Sequence, residues 1–242
     1  MKPFVTVIGA LILVVSFAVI PARAQGSDSG RPRLVATAFD LQPGLTKDKF
    51  DEFTAEVGSV LRFRQLGDPA AIGRGNVDLS WEFDHAPIYG STGAFPRMVA
   101  RFGVSDRVDI GAWGGLDTGG DYGLAGVDTK IVLLQQGARW PVSVSIRPSI
   151  TSLIGPSKVW AGSASIDVSA SRAFGPLSPY VGVATSGSLA IERSKDVDLD
   201  PATADRAFAY AGLAYRWRLL SVAAEVENGA GVSYGLRIGT RF

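Results

Sequence analysis

Apolar and polar residues alternate with a period of two in ten stretches between residue 76 and the C-terminus. In the last stretch, residues 231–242, the apolar or aromatic positions are Val232, Tyr234, Leu236, Ile238 and Phe242. A period of two places successive side chains on opposite faces, so each stretch predicts a β-strand with one apolar and one polar face. What the apolar face touches decides the class of protein.

Two all-β architectures, a soluble sandwich and a membrane barrel, show such alternation. The sequence has one long apolar run, which ends at Ile20, and no later run approaches the length of a membrane-spanning helix. Any membrane contact after residue 24 is therefore not helical. A closed β-barrel is the other structure that satisfies its backbone hydrogen bonds in lipid.

The connections between the stretches and the positions of the aromatic residues both favour the barrel. Counted from the C-terminus, alternate connections such as 105–106 and 175–179 are short, and most of those between, such as 85–95 and 193–205, are longer. This contrast is typical of outer-membrane barrels. Aromatic residues lie beside both ends, as in the girdles at lipid–water interfaces, and Trp113 breaks the alternation of its stretch. The first girdle comprises Phe102, Trp140, Phe174, Tyr180, Tyr215, Trp217 and Phe242, and the second Trp81, Phe83, Phe95, Tyr122 and Trp160.

The last strand resembles that of bacterial outer-membrane β-barrel proteins, which typically end in a phenylalanine recognised by the barrel assembly machinery. The matching residues are Tyr234, Leu236, Ile238 and Phe242. The resemblance covers residues 76–242 and implies a porin-like barrel in the outer membrane of a Gram-negative-type envelope. Its implied partners are outer-membrane lipid and the assembly machinery.

The N-terminus predicts an export signal over residues 1–24. Lys2 precedes the apolar run, and Pro21 is followed by Ala22 and Ala24 in an Ala-x-Ala cleavage pattern, so we expect cleavage after Ala24. The alternative is an uncleaved membrane anchor, because the run is nearly long enough to span a bilayer.

Residues 25–75 form an N-terminal segment before the barrel of residues 76–242. Its start is typical of a disordered chain, and apolar residues at helical spacing predict a short helix near residues 46–58. If residues 33–41 and 59–66 are strands, the barrel has 12 strands and the helix belongs to an extracellular loop. Otherwise, a ten-stranded barrel has a helix inside it or at its periplasmic mouth. We therefore predict an all-β, transmembrane, antiparallel up-and-down barrel of 10–12 strands. We favour 12, because adding two strands keeps the count even and all strand orientations consistent.

Motifs that carry chemistry are absent from the sequence. The chain has no cysteine and one histidine, and its net charge of +1 argues against a nucleic-acid partner. Outer-membrane proteases, deacylases and phospholipases use a rim histidine with Asp or Ser, which Asp84, His85 and Ser91 could imitate. Adjacent residues on a strand face opposite ways, however, and Asp117 and Asp121 are more typical of a turn than of a cation site. We therefore predict neither an enzyme nor a cofactor nor a metal site.

The polar faces of the strands carry many charges, which we expect to line the lumen. They are Asp78, Glu82, Arg97, Arg101, Arg107, Asp109, Asp128, Lys130, Arg147, Asp167, Arg216, Glu225, Glu227, Arg237 and Arg241. Their near balance predicts ion pairs across the lumen, because buried charges need partners. Two main functions follow: a narrow porin-like channel or transporter for small polar solutes, which the sequence favours slightly, or a structural or adhesive barrel with an occluded lumen. An outer-rim hydrolase is the third.

Overall fold

The computed structural model describes residues 46–242 except 65, 89–90, 117–122, 156–157, 194–198 and 230. The described residues form one helix, α1 (Lys47–Leu61), and ten strands. The strands are β1 (Val77–Ile88), β2 (Ser91–Gly103), β3 (Val108–Leu116), β4 (Gly123–Leu134), β5 (Ser143–Ile154), β6 (Val159–Ser171), β7 (Leu177–Glu192), β8 (Ala202–Trp217), β9 (Leu220–Asn228) and β10 (Val232–Arg241). The predicted signal peptide, its predicted cleavage site and residues 33–41 lie outside the described residues.

The ten strands close into an antiparallel up-and-down barrel in which β1 pairs with β10. At this seam, the N–H of Phe242 donates to the carbonyl of Val77 at 2.9 Å, and the N–H of Val77 donates to the carbonyl of Phe242 at 3.0 Å. The predicted all-β barrel is confirmed. The favoured count of 12 strands is wrong, because closure leaves no edge for two more. The described residues between 59 and 66 do not form a strand: α1 continues to Leu61, and the residues described after it are irregular.

The predicted contrast between short turns and long loops is also wrong. β1 continues to Ile88 and β2 begins at Ser91, so most of the predicted loop 85–95 is a hairpin. β8 likewise begins at Ala202, inside the predicted loop 193–205. Backbone pairing between strands does not require an apolar face, so the strands extend past the end of the alternating pattern.

We call the end of the barrel at which β1 begins and β10 finishes the terminal end, and the opposite end the distal end. The terminal end holds Val77, Phe242 and the connections β2–β3, β4–β5, β6–β7 and β8–β9, and the distal end holds the other connections.

The outward face of the barrel is apolar and the inward face is polar. Outward side chains such as Met98, Val127 and Val181 are 51–57% exposed, whereas the inward serines of β5 and β6 are at most 7% exposed. So large an apolar exterior is unusual for a water-soluble protein, and it is the surface expected of a barrel surrounded by lipid.

Within the described part of the chain, no helix is both long enough and apolar enough to cross a membrane.

Candidate functional site

The lumen is the candidate functional site, and residues 46–76 of the same chain pass through it. We call these residues the plug segment. Gly58 lies against Ser188, near the distal end of β7, and Ile72 lies beside Asp109, at the terminal end of β3. The segment therefore runs along the lumen towards the terminal end, where it turns through Gly73 and Gly75 into β1. Both glycines have positive φ values (91° and 79°), which other residues rarely adopt.

Helix α1 buries one apolar stripe against the barrel wall. Phe50, Phe53, Val57 and Leu61 recur at helical spacing and are each at most 9% exposed. The helix packs mainly against β6, β7 and β8. At the distal ends of these strands the inward residues change from polar to small and apolar: Val159, Ala161, Ala190 and Ala202. This change gives the helix a matching apolar surface.

Small serines on β5, β6 and β7 leave room inside the barrel for the plug segment. Ser145 and Ser169 are hydrogen-bonded at 3.0 Å, and Ser149 and Ser165 at 2.6 Å, each pair directly opposite on β5 and β6. Serine side chains are too short to reach the middle of a ten-stranded barrel, so they leave the centre of the lumen free. The fit to α1 is tight: a Cβ added at Gly58 would lie 2.6 Å from the Cβ of Ser188.

Two arginines of the plug segment form buried ion pairs with the wall. Arg62 contacts Glu227 directly, lies 3.8 Å from Asp167 and stacks on the ring of Phe208 at 4.4 Å. Arg64 lies 3.3 Å from Glu225.

Phe63, between these arginines, points into a cluster of wall cations. The guanidinium carbons of Arg97, Arg101 and Arg147 lie 5.5–5.6 Å from the centre of its ring. The ring of Trp113 lies 5.4 Å from it. The negative faces of aromatic rings attract cations, so Phe63 stabilises these three charges together with the acids that pair with them: Asp84 and Glu82 with Arg97, and Asp128 with Arg101 and Arg147.

The last part of the plug segment binds the terminal end of the wall through polar contacts. Asp68 accepts hydrogen bonds from Ser171 (2.9 Å), Ser178 (3.2 Å) and Arg216 (3.2 Å). The Nζ of Lys130 donates to the carbonyl of Ala70 at 2.6 Å. The backbone between Asp68 and Ile72 therefore follows the wall closely.

The structure places most of the predicted lumen charges inside the barrel. Twelve are buried: Asp78, Glu82, Arg97, Arg101, Asp109, Asp128, Lys130, Arg147, Asp167, Glu225, Glu227 and Arg237. Arg216 and Arg241 are partly exposed, and they contact Asp68 and Asp78. Arg107 differs, because it is exposed in the turn before β3. β3 begins only at Val108, so the alternation no longer directs Arg107 into the lumen.

The ion pairs of the wall join strands that are adjacent or one strand apart. They do not cross the lumen, contrary to the expected geometry. Asp109 and Lys130 are opposite each other on β3 and β4, with 2.7 Å between the charged atoms. Asp128 on β4 contacts both Arg101 on β2, at 3.1 Å, and Arg147 on β5, at 3.4 Å. A barrel of this width is bridged by the plug segment instead.

The buried charges of the wall do not balance without the plug segment. Among the described residues, the strands bury eight acids, Asp78, Glu82, Asp84, Asp109, Asp128, Asp167, Glu225 and Glu227. They bury five bases, Arg97, Arg101, Lys130, Arg147 and Arg237. Arg62 and Arg64 supply two of the three missing cations, and Arg241, which is partly exposed at the terminal end, pairs with Asp78. Without the plug segment, the buried part of the wall therefore has an excess of acids.

Little free space remains where the plug segment meets the wall. A cavity of about 20 Å³ lies there, lined in part by Arg62, Arg64, Asp84, Arg97 and Glu227. That volume holds about one water molecule.

The sequence analysis gave a helix inside a ten-stranded barrel only as the second alternative to 12 strands. It did not include Arg62, Phe63, Arg64 or Asp68 among the lumen residues. Trp113 was the feature of the sequence that indicated a segment inside the lumen, because its position in the alternation of β3 directs a large aromatic side chain into a polar lumen. Tyr180 and Phe95 were assigned to the girdles, but both face inward and are at most 5% exposed. The hydroxyl of Tyr180 accepts the N–H of Gly67 at 3.2 Å, so it too binds the plug segment.

The predicted rim and assembly residues have the following positions. His85 lies on the outward parity of β1, opposite Tyr234, whereas Asp84 is buried on the inward parity. Tyr234, Ile238 and Phe242 are 42–61% exposed on the outward face, and Leu236 is half-buried. Asp117 and Asp121 lie outside the described residues. Within the part of the chain that is described, no cluster of His, Cys, Asp or Glu could hold a metal ion.

No family model and no curated protein sequence matches this chain. Solved structures with a similar fold include the N-terminal β-barrel domain of OprF from Pseudomonas aeruginosa, with 15% identity, a TM-score of 0.34, and coverage of 70% of this chain and 99% of that one. Ail, the attachment invasion locus protein of Yersinia pestis, has 12% identity, a TM-score of 0.32, and coverage of 70% and 99%. The KdgM porin has 12% identity, a TM-score of 0.34, and coverage of 68% and 98%. These likenesses concern the fold and carry no information about activity.

The closed sheet, the apolar exterior and the polar, filled interior define the class of protein. The chain is an antiparallel β-barrel of the outer-membrane type.

Proposed function

We propose that the protein resides in the outer membrane as a barrel closed by its own plug segment. The contacts of the plug segment carry this proposal: buried ion pairs at Arg62 and Arg64, the buried stripe of α1, and the hydrogen bonds of Asp68. A segment held along the lumen in this way blocks the passage of solutes. The structural or adhesive barrel is therefore favoured over the open porin-like channel.

The same proposal includes export and orientation. Residues 1–24 direct export and are removed after Ala24, and residues Tyr234, Leu236, Ile238 and Phe242 are read by the assembly machinery. The terminal end then faces the periplasm, and the distal end, with the long strands β7 and β8, faces outward. The resemblance of the last strand to outer-membrane proteins supports this orientation.

A gated channel for small polar solutes is the second candidate. The acid excess of the wall favours it, because displacement of Arg62 and Arg64 would leave a hydroxyl-lined, acidic bore. In this form the plug segment moves in and out of the lumen, and the protein passes solutes only while it is out.

Conductance of the refolded full chain in planar bilayers tests the closed barrel. We expect no steady conductance from the wild type, because the bore is filled. Steady, large conductance in most insertions would contradict the proposal and restore the porin-like channel to first place.

Labelling of an introduced cysteine separates the two candidates, since the chain has no cysteine of its own. Thr54 of α1 is 1% exposed, and Lys49, on the same helix, is exposed. In the closed barrel, Thr54→Cys reacts with a small polar thiol reagent far more slowly than Lys49→Cys. Labelling of both at similar rates in the folded barrel would favour the gated channel.

A further inference from the structure

The terminal end of the barrel carries an exposed arginine at each of its described turns. These arginines are Arg74 before β1, Arg107 between β2 and β3, Arg139 between β4 and β5, Arg172 between β6 and β7, and Arg218 between β8 and β9. We call the five residues the arginine rim. Among the described residues of these turns, Asp106 is the exposed acid that stands against the five exposed arginines. The rim is therefore strongly basic, although the net charge of the whole chain is only +1.

The described distal end has no such excess. Its exposed charges include Arg193, Asp200 and Asp205, and the first turns of α1 carry both lysines and acids. The basic character of the terminal end is thus a local feature and does not follow from composition.

Three arginines of the rim stack on aromatic side chains of the same turns. The guanidinium carbon of Arg139 lies 5.4 Å from the ring centre of Trp140, and that of Arg172 lies 5.1 Å from Phe174. That of Arg218 lies 5.1 Å from the neighbouring Trp217. The rings are 40–56% exposed and continue the apolar exterior of the barrel. Aromatic rings in such positions lie at the boundary between acyl chains and headgroups, so they hold the guanidinium groups at headgroup depth.

We propose that the arginine rim binds the phosphate groups of anionic glycerophospholipids in the adjoining leaflet. A guanidinium that stacks on a ring uses its face, and its in-plane N–H groups are those that match the oxygens of a phosphate. The basic charges lie next to a lipid-facing surface, which favours a lipid over a soluble anion. All five rim cations are arginine rather than lysine, as expected for phosphate recognition.

Fluorescence quenching by brominated lipids tests the proposal on the refolded full chain. Bilayers contain a fixed fraction of phosphatidylglycerol or phosphatidylcholine with bromine on the acyl chains, which quenches nearby tryptophans such as Trp140 and Trp217. For the wild type at low salt, we expect an association constant at least about threefold higher for phosphatidylglycerol, from several charges close to an anionic surface. High salt should bring the ratio of the two association constants, phosphatidylglycerol over phosphatidylcholine, close to one.

The triple variant R139Q/R172Q/R218Q should lose most of this preference, whereas R193Q, an exposed arginine of the distal end, should keep it. If the triple variant folds poorly, R139K/R172K/R218K keeps the charge without the planar fork and should show an intermediate preference. Equal binding of both lipids by the wild type, or an unchanged preference in the triple variant, would overturn the proposal. Stronger retention of lipid A than of phosphatidylglycerol would also overturn it, because the rim would then face the other leaflet.

Discussion

The ring of Phe63 in the plug segment lies 5.4 Å from the ring of Trp113 on β3, centre to centre. Arg97 approaches both rings, at 5.6 Å from Phe63 and 5.0 Å from Trp113. This contact joins the plug segment to β3, which only β4 separates from the serine-bearing β5. The wall therefore holds the plug segment at two places, by small residues that make room for α1 and by an aromatic pair among cations.

Phe63→Ala should destabilise the barrel strongly. The substitution leaves a cavity, which costs about 3–5 kcal/mol for a buried phenylalanine, and it removes the ring beside three arginines. The measurement is the free energy of unfolding in urea, in lipid bilayers. Phe102→Ala is the matched control, because Phe102 faces outward and is 45% exposed. Similar losses for the two variants would show that Phe63 contributes no more than a lipid-facing ring.

Arg62→Met should cost about 3–5 kcal/mol of the free energy of unfolding, because it leaves Glu227 and Asp167 buried without this partner. Adding Glu227→Gln should recover a large part of the loss, as a double-mutant cycle would measure. Lys47→Met, which removes an exposed pair with Asp51 at 3.7 Å, serves as the control and should cost less than about 1 kcal/mol. Strict additivity of the Arg62 and Glu227 effects would contradict a direct pair.

The sequence predicts the wall of this barrel well and its interior poorly. A wall residue such as Ile150 or Ser149 is placed by a period of two, which is a local property of the strand. The position of Arg62 depends instead on Glu227, 165 positions later in the chain. The alternation in residues 59–66 resembles a strand, yet Arg62 and Arg64 match the unpaired acids of the wall. No local sequence pattern indicates that these two arginines pair with acids far away in the chain. The predicted lumen residues comprise eight bases and seven acids, and adding Asp84 only makes the two numbers equal. The excess of buried acids becomes visible only in the structure, where Arg107, Arg216 and Arg241 are not fully buried.

His85→Ala should leave protease, deacylase and lipase activity at background. His85 lies on the outward parity of β1 and the neighbouring Asp84 is buried on the inward parity, so the two do not form an acid–base pair. Loss of a catalytic acid–base residue reduces rates by about 100-fold or more. Any hydrolysis by the wild type that this change abolishes would support the rim enzyme. Asp84→Asn is not a suitable control, because Asp84 pairs with Arg97.

Phe242→Ala should lower the amount of folded barrel in the membrane while export continues. The substitution keeps the two backbone hydrogen bonds between Phe242 and Val77, so it removes only the exposed ring that the assembly machinery is proposed to read. Heat-modifiable mobility of the membrane fraction on gels measures folded protein. Phe174→Ala removes a similarly exposed ring elsewhere at the terminal end and should assemble normally. Equal assembly of both variants would remove the signal role of Phe242.

Gly58→Leu should open the lumen and make it conduct cations. A side chain at this position meets Ser188, whose Cβ would lie 2.6 Å from the new Cβ, and a strand residue of the closed sheet cannot retreat. The helix must therefore leave its place, which uncovers a wall with eight buried acids and five buried bases. An acidic bore favours cations, so the reversal potential in a salt gradient should shift to the cation side.

Gly137→Leu is the matched control for this opening, because nothing lies within 4 Å of a Cβ at that turn position, and it should remain as closed as the wild type. A second pair of variants separates displacement from misfolding. Gly58→Ala should open the lumen in part, and adding Ser188→Gly, which removes the opposing Cβ, should close it again. If Gly58→Leu folds fully and still does not conduct, the position of α1 does not control the bore. The side chains of the wall would then have to close the lumen by themselves. The plug segment would occupy a lumen that is closed in any case, and would not be what closes it.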